Sequence, residues 1–391
     1  MPNNVSTTYK ILYHHRIASK DGQYVHVEEI INALTAQGHE IIMVAPRVAE
    51  NSEFGSEGGW VSKLKQKLPQ ALYEFIEFCY AFYDFFKLCH AISKYKPDFI
   101  YERYNLFLPS GIWAKKLFNL PLILEVNAPI YQERKKYHGI SLDAVASWTQ
   151  SYCWRQADKC LPVTDVLADY LRAVGVPEKN IEVIHNGINE TAFSKPIVKP
   201  AQLPDLSSKT VIGFVGFCRE WHGLDKVIDM MAELKDPSLF FLIIGDGPVL
   251  PELKAQAARL GLSQQIFMSG LVNREQMPNW VAQIDIALQP DVVPYASPLK
   301  MLEYMYMGKA IIAPRSRNIE ELVTDGESAL LFELDQPSSF IDKLKSVTTN
   351  PQLAEVLCAN VVNEIKTKKL YWTENSKKIV GIYAQIKSEK R

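Results

Sequence analysis

The chain lacks any apolar stretch long enough to cross a bilayer: runs such as Leu239 to Ile244 fall far short of the roughly 18–20 residues a spanning helix needs. Its polar start, Met1 to Lys10, does not resemble a cleaved export signal. Net charge is also nearly absent. Lys plus Arg (43) and Asp plus Glu (44) cancel to -1, so no overall field draws the chain to nucleic acid, and no nucleic-acid partner is expected. The six cysteines form no Cys-x-x-Cys pair and sit in apolar contexts, which suits buried, reduced thiols in a cytoplasmic protein. No two aspartates stand two apart, so the Asp-x-Asp device that holds a divalent ion against a diphosphate is missing. The one close histidine pair, His14-His15, would point to opposite faces of a strand, and no metal is expected. Neither half offers Gly-x-Gly-x-x-Gly after its first strand, which disfavours a dehydrogenase. No repeat with a period of roughly 20–50 residues is evident, which removes solenoids and propellers.

What is present is a globular composition, 47% apolar and 22% charged, over 391 residues. That length suggests two domains at roughly 150 residues each. Tyr9 to His15 reads as a strand, Val25 to Leu34 repeats at helical spacing, and Glu40 to Pro46 is apolar again, which makes a βαβ unit. Asp98 to Tyr101, Pro121 to Glu125, Lys159 to Val163 and Ile181 to Ile184 are further short hydrophobic runs of the kind parallel, doubly covered strands show. Ser194 to Lys209, with three prolines and many small polar residues, suits an exposed linker. The alternation then restarts at Val211 to Gly216, Phe240 to Gly245, Ile266 to Ser269, Ile284 to Leu288, Lys309 to Pro314 and Ala329 to Phe332. The expected fold is α/β, with two Rossmann-like doubly wound domains facing a central cleft. Residues 1–193 form the first domain, a last helix from about 374 crosses back onto it, and residues 194–373 form the second.

Two loops that follow strands carry the chemical signal. Ser297-Pro298-Leu299-Lys300-Met301-Leu302-Glu303 reads as a loop entering a helix: Ser297 can cap, Pro298 suits the first turn, and amides near Leu299 and Lys300 would face an anion. Glu303, one turn in, could accept hydrogen bonds from sugar hydroxyls. An ordinary capped amphipathic helix with Lys300 and Glu303 on its wet face accounts for the same pattern. Gly216-Phe217-Cys218-Arg219-Glu220-Trp221-His222-Gly223 follows a strand directly and places Arg219 and His222 three apart, a fitting grip for a diphosphate. A solvated arginine is the alternative, and a neutral His222 would add a hydrogen bond but no charge.

These loops, with His185-Asn186-Gly187-Ile188, Tyr101-Glu102-Arg103-Tyr104, Glu125-Val126-Asn127-Ala128-Pro129 and Tyr371-Trp372, resemble retaining glycosyltransferases of the GT-B fold, family 4, of the bacterial exopolysaccharide and cell-envelope type. The resemblance spans nearly the whole chain. It implies that the second domain holds a nucleotide sugar and the first an acceptor. Glu303 then matches the second carboxylate of the family's E-x7-E motif, expected on the ribose, and Arg219 its diphosphate-binding arginine. His222 stands where many members have lysine. Eight residues before Glu303, the place of the first motif carboxylate, is Tyr295. Asn127 takes the position of a histidine in many members, and an amide can orient a hydroxyl but cannot shuttle a proton near neutral pH; a plain turn residue before Pro129 is the alternative. Asp21-Gly22 resembles the glycine-containing loop that approaches the donor phosphate, and Gly270-Leu271-Val272 the segment that meets the base through its backbone.

The expected activity is metal-independent transfer of a hexose, glucose foremost, from a UDP-sugar to a glycan or lipid-linked oligosaccharide hydroxyl, with retention. No cofactor beyond the UDP-sugar substrate is expected. Arg219, His222 and Asn127 are the expected catalytic residues. A nucleotide-sugar epimerase and a non-catalytic nucleotide-sugar binding subunit are the other two readings. Lys63, Lys65 and Lys67 precede Leu72, Phe75, Ile76, Cys79, Phe82, Tyr83 and Phe86, which recur on one helical face. A core helix is the first reading of that face; contact with an anionic membrane, at the inner face of the cytoplasmic membrane, or with an acceptor is the second.

Overall fold

The computed structural model describes residues 7–17, 22–46 and 68–389. Its contacts divide it into two units, residues 1–185 with 372–391, and residues 186–371. The division falls between His185 and Asn186, ahead of the stretch expected to be a linker. Two contacts explain this: Asn186 is hydrogen-bonded to Ser297, and the Ile188 amide donates to the Leu370 carbonyl. The proline-bearing segment itself is held to the second unit, because Leu203 is buried in that unit's core and the Val198 amide donates to Asn279.

The first unit carries strands β1 (Lys10–His14), β2 (Glu40–Val44), β3 (Phe99–Arg103), β4 (Leu122–Val126) and β5 (Lys159–Pro162). They pair in the order β2-β1-β3-β4-β5, all parallel. Residues such as Ile11, Ile100, Ile123 and Leu124 are fully buried, as strands covered on both faces require. The last helix, Trp372–Glu389, packs on helix Gly22–Ala36 of this unit. Ile181 to Ile184 is not a strand: after a single helical turn at Glu178–Asn180, it makes one bridge, Cys160 with Ile181, along the edge of β5.

The second unit carries β6 (Thr210–Val215), β7 (Leu239–Ile244), β8 (Ile266–Met268), β9 (Ile286–Leu288), β10 (Ala310–Pro314) and β11 (Leu330–Phe332). They are again all parallel, in the order β11-β10-β9-β6-β7-β8. In each sheet the order reverses beside the first strand, between β1 and β3 and between β6 and β9. Connections there leave toward opposite faces and open a crevice at the carboxyl ends.

Helix Gln70–Tyr95 corrects the core reading of its aromatic face. Its buried residues are Glu74, Glu77, Ala81, Asp84, Leu88, Ala91 and Ile92, whereas Phe75 (55%), Phe82 (50%), Tyr83 (61%) and Phe86 (69%) are exposed. The polar side of the repeat faces inward because each acid finds a partner there. Glu74 accepts from the Ser141 and Leu142 amides, Glu77 takes both arms of Arg134 at 2.7 and 2.8 Å, and Asp84 takes His14 and Ser110. Lys63, Lys65 and Lys67 lie outside the described residues.

Candidate active site

In the second unit the loops after β6 and β9 leave the sheet at its switch point. β6 and β9 pair only at Ile212–Ile286 and Gly213–Ala287 and then part. The Tyr304 hydroxyl fills the gap, accepting from the Val215 amide at 2.9 Å and donating to the Leu288 carbonyl at 3.5 Å. That wedge fixes helix Leu299–Tyr306 with its first turn over the end of β6. Lys300 consequently reaches back across the strand, its Nζ 4.0 Å from the centre of the Phe214 ring. Gly216 has φ +140°, which requires glycine there, and a Cβ on it would also crowd that amine at 3.0 Å. Gly245, after β7, is still more tightly packed: a Cβ on it would sit 2.0 Å from the Gly216 carbonyl oxygen.

Lys300 and Glu303 are half-buried, and no ion pair joins either to a described residue. Burial pulls the Lys300 ammonium down to about 8, with Cys218 and Glu303 opposing. Burial pushes the Glu303 carboxyl up to about 7, with Arg274 and then Lys300 opposing. No ion pair joins Lys300 to a described carboxylate. His222 accepts the Arg219 amide on Nδ1 at 3.2 Å and lies with its ring tilted by 57° against Phe214, 4.9 Å away, and burial together with the Lys300 charge lowers it to about 3. It is therefore neutral, with its proton on Nε2, a donor without charge. Arg219 is exposed and lies over two rings, 4.8 Å from Phe217 and 5.1 Å from Trp221, which use the faces of the guanidinium and leave its edge donors available.

The remaining expected residues divide. Leu299 opens the helix and Pro298 is its N-cap residue, with no side-chain cap. Ser297 does not cap: its hydroxyl accepts the Asn186 amide at 3.1 Å, and its carbonyl accepts the Asn186 side chain at 2.6 Å, so Asn186 holds the loop instead. Tyr295, within the same loop, is buried. Gly270, at φ +67°, bridges Gly245, which links the Gly270-Leu271-Val272 segment to the Gly216 loop; Leu271 is exposed and Val272 packs on the core. Gly22 begins a helix, and Asp21 lies outside the described residues.

Asn127 belongs to the first unit, just past β4. Its Nδ2 donates to Glu125, which also takes Arg103 at 2.6 Å, the Tyr101 hydroxyl at 2.8 Å and His26 at 3.1 Å. Burial would raise Glu125, but His26 and Arg103 hold it well below the usual carboxylate range. The amide nitrogen of Asn127 is thereby committed, and Oδ1 is the end free to accept. No role for the Tyr304 hydroxyl, for Arg274 beside Glu303 or for the Glu125 network was legible in the chain, because each is a contact between segments far apart in sequence. Among the described residues no three His, Cys, Asp or Glu side chains gather as metal ligands.

Two open parallel sheets, each with polar groups at the carboxyl side of its switch point, define an α/β protein of two doubly wound, Rossmann-like domains. A model of Glycosyltransferase Family 4 matches residues 20–192, and one of Glycosyl transferases group 1 matches residues 198–363. The chain belongs to the GT-B glycosyltransferases, a Family 4 domain followed by a group 1 domain. It is 21% identical to an uncharacterized glycosyltransferase of Methanocaldococcus jannaschii, over 93% of this chain and 95% of that one. It is 27% identical to the colanic acid biosynthesis glycosyltransferase WcaL of Escherichia coli, a putative assignment in that protein's own name, over 61% and 59%. Anabaena HepE, solved in complex with UDP, shares the fold with a TM-score of 0.72 at 16% identity, covering 96% of this chain and 100% of HepE.

Proposed function

We propose that this glycosyltransferase moves a hexose, glucose foremost, from a UDP-sugar to a hydroxyl of a glycan or lipid-linked oligosaccharide in polysaccharide synthesis, with retention and without a metal ion. One observation carries the reading: an ammonium, Lys300, held half-dry at a switch point with no described carboxylate in an ion pair with it. A desolvated, unpaired cation stabilises an anion strongly, and breaking the anomeric bond builds negative charge on the diphosphate. Lys300, the amide of Leu299, the Nε2 proton of His222 and the edge donors of Arg219 are the groups that would meet that charge. Glu303, deeper along the same helix, suits a ribose diol. With no carboxylate placed as nucleophile in this constellation, the leaving phosphate is the base that takes the acceptor's proton.

Support for a UDP donor comes from HepE, which was solved with UDP and with UDP-glucose, and support for a polysaccharide product from WcaL. A lipid-linked acceptor would be met at the inner face of the cytoplasmic membrane by peripheral contact, since no described helix is long and apolar enough to cross. Calorimetry with UDP, GDP and ADP, free and carrying a hexose, tests the donor: UDP is expected to bind best, and no uptake of any of them refutes the proposal. The anomeric configuration of the product, read by NMR, tests retention. Turnover that survives a chelator is expected; strict loss restored by a divalent ion refutes metal independence.

A further inference from the structure

The outward face of helix Gln70–Tyr95 is unusual in charge as well as in hydropathy. All three acids of the helix are turned inward, while Lys94 and His90 are exposed and Lys87 lies 5.8 Å above the Tyr83 ring. Rings from two neighbouring helices extend the face: Trp113 lies 5.2 Å from Phe82, and the half-exposed Trp148 lies 6.4 Å from Phe78. Beside Tyr83 and Phe86 the surface sinks into a groove of about 390 Å³, floored by Met43 and Val44 and rimmed by Lys87 and His90. Exposed aromatic side chains beside cations, with no carboxylate from the helix among them, match the boundary between lipid headgroups and acyl chains.

From this juxtaposition we infer that the face is a docking surface for an anionic lipid bilayer. The rings enter the headgroup boundary, and Lys87, Lys94 and His90 face lipid phosphates. A second copy of the chain is the competing occupant, but a two-fold contact sets each patch against itself and brings cations of one sign together. A bilayer carrying negative headgroups has the complementary sign. The inference deepens the acceptor side of the proposed function by naming where a lipid-linked acceptor would be met, and its geometry stands apart from the donor site.

The test is flotation of the full chain with phosphatidylcholine vesicles, with and without phosphatidylglycerol. The wild-type chain is expected to float with the anionic vesicles only, and less so at high salt. Replacing Lys87 and Lys94 by Glu should lower vesicle affinity by roughly 30-fold or more, at about a fivefold loss for each basic residue removed and more for reversal. Phe82→Ser with Phe86→Ser should abolish flotation. An unchanged circular-dichroism spectrum and an unchanged thermal unfolding midpoint show that each variant is folded. Equal flotation with both vesicle types, flotation with neither, or undiminished flotation of the charge variant overturns the inference. So does a dimer in sedimentation equilibrium that the ring-to-serine variant dissolves. Should wild type float without binding any nucleotide, the donor reading fails while the docking surface stands.

Discussion

Both units end their first strands in a crevice of the same topology, yet they treat charge in opposite ways. In the first unit two described buried charges, those of His14 and Glu125, are answered by close partners. His14 lies 2.7 Å from both Asp84 and Glu102, whose attraction overcomes burial and lifts it to about 10, and Glu125 is gripped by Arg103 and His26. In the second unit, Lys300 and Glu303 are shifted by burial toward their neutral forms, and the described groups that oppose each shift do not overcome it. Answered charges hold a scaffold together; unanswered ones subtract from stability until something binds.

The largest effect should come from breaking an answered charge. Glu125→Ala leaves Arg103 and His26 buried without their counter-ion and should cost about 3–5 kcal/mol, read by chemical denaturation, while UDP affinity in the second unit stays unchanged. A comparable loss of UDP affinity would erase the distinction between the units. Next is Arg219→Ala, which should lower turnover by roughly 100-fold or more, the scale of one charge-stabilising donor. Near-normal turnover would remove Arg219 from the mechanism.

Acidity separates the units further. His14 is raised above its unfolded value, so its contribution to stability is complete below pH 6.5 and is lost as pH rises through about 10. Lys300 is lowered, so its penalty is present below about 8 and fades above it. A bound diphosphate restores the ammonium, and UDP binding at pH 8–9 should take up protons, measurable by calorimetry in buffers of different ionisation heat. Proton release would invert the assignment. The smallest effect is expected from Trp221→Leu, which removes one of two rings over Arg219 and should raise KM for the donor by about 3-fold, the scale of an exposed cation–π contact, with kcat little changed.

The parallel sheets were legible because strands covered on both faces are continuous apolar runs, and all eleven strands overlap a run expected from the sequence with only small shifts at the ends, although Glu40–Val44 begins on an exposed acid; the one run without a strand, Ile181 to Ile184, makes a single bridge. The donor loops were legible because they follow strands directly. What escaped was non-local. Ser297 looked like a cap because nothing nearby in sequence competes for its hydroxyl, whereas Asn186, distant along the chain, does. The helix at Gln70–Tyr95 misled differently: periodicity shows that two faces exist but not which one turns inward. Glu74, Glu77 and Asp84 read as a wet stripe until His14, Arg134 and the Ser141 amide are brought to them.

Those three carboxylates also explain why the rings stay outside. Rolling the helix half a turn to hide Phe82 and Phe86 would strip His14 of one counter-ion and Arg134 of both its bonds, in an interior with nothing to replace them. The acids act as a latch, so the molecule keeps its adhesive side turned out even in water.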